Sequence, residues 1–177
     1  WMVWMCHAFN VFDMADGLSS GAGAIGALSL WLMGAGDWML VMAGALVGFL
    51  VHNFYPARIY MGDAGSLLFG FLLSATAVLV ANDVGGWPGV VGPGIVLVLP
   101  TFEAIFISVM RFAKGRPISQ ASRDHVAQRL VQWGRSTRVV VFMMWLMGVI
   151  WGGLGFLVVQ GNLPAWLGMV VVLGVAS

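Results

Sequence analysis

Runs of about 20 apolar residues, long enough to cross a bilayer as a helix, follow one another along this chain with only short polar turns between them. Candidate spans cover residues 18–34, 38–55, 65–82, 91–111, 139–160 and 163–177, and residues 1–12 read as the tail of another. In hydrocarbon the backbone must satisfy its own polar groups, which leaves helices and closed barrels. Stretches such as 95–99 and 105–110 lack the period-two alternation of a barrel strand. The expected fold class is therefore all-α, a polytopic transmembrane helical bundle. Composition agrees: 8% of residues are charged, against ~25% in soluble domains.

The whole chain, 1–177, reads as one membrane domain of about six to seven spans, with a polar loop over 112–138. It opens on Trp1 inside an apolar run and ends at Ser177 in or just after another. It is expected to be truncated at its N-terminus, and its C-terminus allows the same reading. No signal peptide is visible. A net charge of +1 argues against nucleic acid as a partner. Cys6 is the sole cysteine, so no internal disulfide forms.

The basic residues set the sidedness. Of eight Lys and Arg, seven lie between Arg111 and Arg138, and the eighth is Arg58. Two spans separate these segments, so both fall on one face, which the positive-inside rule makes cytoplasmic. Asp13 and Asp16 lie two spans before Arg58 and join the same face. The opposite turns, 34–37, 82–93 and 161–164, carry no Lys or Arg.

Three polar segments thus converge. In His7-Ala-Phe-Asn10-Val-Phe-Asp13-Met-Ala-Asp16-Gly17, steps of three on a helix place Asn10, Asp13 and Asp16 on one stripe. Two carboxylates and a carboxamide at a membrane boundary suit a hard cation or a phosphate-bearing substrate. The plainer account is a helix end whose acids reach water. The second segment, residues 53–66, sets Arg58 and Gly62-Asp63-Ala64-Gly65-Ser66 between two apolar runs. There an ionised side chain inside the bilayer would cost ~2.5–3.5 kcal/mol. The next span is expected to start at Ser66 or Leu67, its free N–H groups facing any phosphate held near Asp63. A tight loop capped by Ser66 is the alternative. The third is the loop between Arg111 and Arg138, where Ser122 could cap a short helix. His125 and Arg129, one turn apart, either hold a diphosphate or belong to an amphipathic helix lying on headgroups. Glu103, costly inside a span, is placed near its cytoplasmic half or against a basic partner.

Taken together, these segments resemble the polyprenyl-phosphate N-acetylhexosamine-1-phosphate transferases. His7 to Leu18 is similar to the family's Asn-Ala-x-Asn-x-x-Asp-Gly-x-Asp-Gly-Leu. Asn53 to Ser66 is similar to its Pro-Ala-x-x-Phe-Met-Gly-Asp-x-Gly-Ser. Pro100-Thr-Phe-Glu103 with Arg111 resembles its Pro-x-x-Asp and downstream Arg, and Asp124-His-Val-Ala-Gln-Arg-Leu130 takes the place of its His-rich loop. The resemblance implies about ten or eleven membrane helices, of which this chain holds the C-terminal part. It implies that a polyprenyl (undecaprenyl) phosphate attacks the β-phosphate of a UDP-N-acetylhexosamine and releases UMP. Mg²⁺ is the implied cofactor, with Mn²⁺ as a substitute. Asp63 matches the metal-binding Asp. Asn10, Asp13 and Asp16 match the catalytic polar stripe, and His125 matches the first His of the loop. Arg129, Arg58 and Arg123 complete the expected substrate-binding set. The implied setting is the inner (plasma) membrane, with a homodimer as an allowed assembly.

Departures stand beside these matches. His7 replaces Asn, Met14 replaces a common Gly, Glu103 replaces Asp, and Ala127 and Gln128 stand where further histidines are usual. The family's paired-Asp motif on an earlier loop is absent, so this fragment alone is expected to be inactive. Two other readings remain: a catalytically retired scaffold of the same fold, and an ion-coupled transporter. The transporter is disfavoured because the acids lie at span ends and no span is expected to break at its middle.

Overall fold

The computed structural model describes residues 1–115, 117, 125–167 and 170, and all regular structure among them is helical. The helices are α1 (Met2–Phe12), α2 (Leu18–Leu32), α3 (Trp38–Asn53), α4 (Gly62–Val84), α5 (Gly86–Val96), α6 (Val98–Ala113), α7 (Val126–Gln132) and α8 (Thr137–Val159). Seven are apolar helices of a membrane bundle, while α7 is a short helix on the polar loop. Two of them, α4 and α8, are 23 residues long and apolar enough to span. α2 and α3 coincide with expected spans but stop at 15 and 16 residues, short of the ~20 that a full crossing takes.

The expected single span over 91–111 is a broken one. α5 and α6 meet at Leu97 at an angle of 68°. Pro100 has no N–H for the Val96 carbonyl four residues back, and its ring crowds that oxygen. The chain responds with a tighter bond, the Leu97 N–H donating to Gly94 O at 3.2 Å. Beyond the break, Pro100, Glu103, Ala104, Ile107 and Arg111 are all buried. Their three-to-four spacing is one helix face, so Glu103 and Arg111 share the inward stripe of α6.

Two apolar clusters hold the bundle. One joins α1, α2, α3 and α4 through Met5, Phe9, Leu30, Met39, Leu46 and Leu73. The other joins the two turns at the α1–α2 boundary to α5 and α8 through Phe12, Leu18, Ile95, Val141 and Trp151. α1 and α4 run antiparallel at close range. A Cβ on Gly70 would stand 2.6 Å from Met5 O and 2.7 Å from Cys6 Cα. Only a glycine lets the two backbones approach so closely, and that approach sets the end of α1 against the start of α4.

Candidate active site

The polar residues gather at the end of the bundle where α1 stops and α4 begins. α4 starts at Gly62 rather than at Ser66 or Leu67 as expected. Gly62 adopts φ +63°, a left-handed conformation open to glycine. It swings the chain into the helix four residues early. Asp63 thereby lies in the first turn of α4, and Ser66 is a buried helical residue whose Oγ lies 3.1 Å from Gly62 O and 3.3 Å from Asp63 O. Across the gap, Asn10 Nδ2 of α1 donates to Asp63 Oδ1 at 2.8 Å and to Ser66 Oγ at 3.1 Å.

Asn10, Asp13 and Asp16 do not form the single helical stripe the spacing predicts. α1 ends at Phe12, Asp13 takes φ −79°, ψ 54°, and Gly17 turns left-handed at φ +79°. Asp favours turns over helix interiors because its side chain competes for backbone groups, and two carboxylates three residues apart repel along a helix. Residues 13–17 therefore form a turn beside the 54–61 loop, and Asn53 joins the two. Its Oδ1 accepts from Gly17 N at 3.1 Å and Ser20 Oγ at 2.9 Å, and its Nδ2 donates to Ile59 O at 3.0 Å. Asp16 Oδ2 accepts from Ala57 N at 2.9 Å. Asp13 lies half-buried beside Asp16. Burial first, and the Asp16 charge second, push its carboxyl up to about 6.

Two cavities flank this turn. One of about 160 Å³ is lined by Asp13, Asp16, Asn53, Tyr60 and Met61. The other, of about 360 Å³, runs from Asp16 and Tyr55 to Ala127, Gln128 and Thr137. Residues 13–16 form the wall between them, so α7 and α8 approach the acids from the far side.

The remaining candidates sit on the 54–61 loop and around α7. Arg58 is exposed in the 54–61 loop, where its backbone N–H donates to His52 O at 2.8 Å. His125, 8% exposed, is turned onto Glu103 of α6, with Nδ1 3.1 Å from Oε1. The Arg129 guanidinium lies over the Phe106 ring at 5.4 Å, and Arg138 lies over Tyr55 at 5.9 Å. Arg123, with Ser122 and Asp124, lies outside the described residues. Glu103 is thus paired with a basic partner, as its cost inside a span requires. Asn53 and Glu103 are the two polar centres that motif reading did not single out as site residues. The signal for Asn53 was its place at the head of the second segment; for Glu103 it was a carboxylate in an apolar run.

Among the described residues, no three of His, Cys, Asp and Glu converge to hold a metal by themselves. Asp63 offers one carboxylate oxygen free of Asn10. Mg²⁺ keeps several waters and is commonly held by one or two carboxylates plus substrate phosphates, so the donor set fits that cation as one protein ligand of a shared site.

Residues 1–81 match the model of glycosyl transferase family 4. The chain is 34% identical over 157 residues to the probable undecaprenyl-phosphate N-acetylglucosaminyl 1-phosphate transferase of Bacillus subtilis, covering 85% of this chain and 44% of that protein. It is 31% identical over 201 aligned positions to the decaprenyl-phosphate N-acetylglucosaminephosphotransferase of Mycobacterium tuberculosis (97% and 50%). Against the phospho-N-acetylmuramoyl-pentapeptide-transferase of Desulforudis audaxviator it is 34% identical over 167 residues (88% and 47%). The chain spans about half the length, or less, of these curated relatives. On that match and on these identities of 31–34% over 85–97% of its length, the chain belongs to glycosyl transferase family 4.

Proposed function

We propose that the full-length protein transfers N-acetylhexosamine-1-phosphate from a UDP-sugar to a polyprenyl phosphate, releasing UMP, on the cytoplasmic face of the plasma membrane. The observation that carries this reading is the bridge from Asn10 to Asp63 and Ser66 at the head of α4, beside the turn holding Asp13 and Asp16. A lipid phosphate is confined to the interface, and this cluster lies at the helix ends rather than at their middles.

In the proposed reaction a lipid phosphate oxygen forms a bond to the β-phosphorus of the sugar nucleotide as the bond to the UMP oxygen breaks. Asp63 would hold Mg²⁺, which when bound offsets the repulsion between the two phosphate-bearing substrates. Asn10 fixes Asp63 Oδ1 by hydrogen bond and so leaves Oδ2 as the outward ligand atom. Asp13, at about 6, is near the operating pH, where a carboxylate is an effective proton acceptor. It is suited to take the proton of the incoming lipid phosphate. Asp16 is held in place by the Ala57 N–H. Arg58, Arg129 and Arg123 are the cations proposed for substrate phosphates.

The test is Asp63→Asn in the full-length protein. Mg²⁺-dependent UMP release from UDP-N-acetylglucosamine with undecaprenyl phosphate is expected to vanish; wild-type-like release would remove Asp63 as the metal ligand.

The break at Leu97 gives a second reading its one supporting observation, because secondary transporters build ion sites at broken helices. Residues around this break are Ile95, Val96, Leu97, Val98 and Leu99, all buried and apolar, which is a poor place to coordinate an ion. Ion flux in liposomes without sugar transfer would reverse the preference. A full-length protein that neither conducts nor transfers would be the retired scaffold.

A further inference from the structure

The reaction outlined above leaves Glu103 without a task. This carboxylate belongs to α6, is fully buried, and lies 22 residues before His125 in sequence. Its Oε1 is 3.1 Å from His125 Nδ1 and accepts from the Val126 backbone N–H at 3.0 Å, while its buried Oε2 has no hydrogen-bond partner among the described residues. Satisfying the first N–H of α7 would explain the bond to Val126, but a neutral side chain could do that without the cost of burying a charge. The imidazole is the better reason. An ionised carboxylate only accepts hydrogen bonds, so the pairing keeps a proton on Nδ1 and leaves Nε2 as the ring nitrogen open to another partner. One turn along, the contact repeats. Arg129 lies over Phe106, which stacks on Phe102. α7 is thus docked on successive turns of α6, with the His125 ring just before its first residue held by the Glu103 carboxyl.

Other charged groups stand on the elements packed around this end of the bundle. Arg111 is buried on α6 and Arg129 sits on α7. Asp16 lines the 360 Å³ cavity opposite Ala127 and Gln128, and Arg138 of α8 is engaged on Tyr55. The Glu103 carboxylate is the one bonded to the imidazole.

We propose that Glu103 is a positioning residue, holding His125 with Nδ1 protonated and its ring fixed so that Nε2 is presented, as a hydrogen-bond acceptor, to a donor group on the substrate. What Nε2 meets rests on the transferase reading; the pairing and the tautomer do not. Where such a carboxylate orients a metal-ligating histidine, removing it costs about 10–100-fold in metal affinity or activity.

The experiment uses the full-length protein with ¹⁵N-labelled histidine, the His125 signals identified by their loss in His125→Ala. The neutral ring is expected to show the Nδ1–H pattern, and Glu103→Met to move it toward Nε2–H. In UMP release, Glu103→Gln is expected to lower kcat about 10–100-fold with a smaller change in KM. Glu103→Asp should restore most of that rate. Added to His125→Ala, Glu103→Gln should change the rate less than about twofold, because residues acting through one another are not additive. An Nε2–H pattern in the wild type, or an equal cost of Glu103→Gln with and without His125, would overturn the proposal and leave Glu103 as a cap of α7. Should Glu103→Met fail to fold, the wild-type tautomer and the Glu103→Gln cycle with His125→Ala still decide the proposal. A wild-type protein releasing no UMP from any UDP-sugar would sink the transferase reading, with the tautomer still deciding this one.

Discussion

The two polar regions of this molecule are built in opposite ways. At the head of α4, Asp63 is exposed and tied to Asn10 by a bond between helix ends, so its charge stays near water and is available to a cation. At the head of α7, His125 and Glu103 are both buried and face each other, so each meets the other rather than water. Charge kept near water is free to bind, whereas charge buried in a pair is free only to orient. In the proposed reaction the first region offers ligand atoms, and the second holds one in place.

The largest expected effect tests the exposed side. Asp63→Asn in the full-length protein should reduce Mg²⁺-dependent UMP release by about 10³-fold or more, with little change in thermal unfolding. A large fall in stability with activity retained would mean that Asp63 behaves like the buried pair. Next comes the hub behind it. Asn53→Ala leaves Gly17 N–H and Ile59 C=O without their partner and should cost about 2–6 kcal/mol of stability, at about 1–3 kcal/mol per orphaned group. An unchanged unfolding temperature in detergent would show the two turns to be independent. Gly70→Ala should prise α1 from α4 through the Met5 and Cys6 backbone and cost about 1–3 kcal/mol, weakening Mg²⁺ dependence in proportion as Asn10 withdraws from Asp63.

The smallest effect concerns pH. Asp13 binds its proton more tightly folded, at about 6, than at the ordinary 3.8, so the folded state holds more protons between those values. Stability contributed by this group therefore falls as pH rises from about 4 to about 6 and is constant above. Asp13→Asn should raise stability at pH 7.5 by about 1 kcal/mol, after allowance for solvent screening, and leave it unchanged at pH 3, while lowering UMP release. Equal unfolding temperatures at both pH values would remove the burial account of Asp13.

How far these regions could be read from sequence follows from the same contrast. The head of α4 is local: a glycine at positive φ, an acid and a serine within five residues, opposite a helix end of similar character. Spacing and charge located it, although they misjudged where α4 starts, because Gly62 can begin a helix that its neighbours would begin later. The stripe over Asn10, Asp13 and Asp16 was misread since the pattern of threes says nothing of where the helix ends. Glu103 and His125 are joined only by tertiary packing across 22 residues, and no local pattern announces such a pair. The break at Leu97 was written in Pro100, but an apolar run of spanning length outweighed it.

That break governs where the loop helix can lie. α5 packs along α8, whereas α6 leans on α1. A helix of 16 residues is about 24 Å long at 1.5 Å per residue. Turned through 68°, its far end stands about 22 Å off the line that α5 would have continued. The proline thus works as a spreader between two masts: it splays α6 from α8 and leaves a berth of which α7 is the occupant. An unbent α5–α6 would run beside α8 and close that berth, taking with it the cavity between Asp16 and Gln128. The room at the polar end of this bundle is set by a single missing N–H deep in its apolar body.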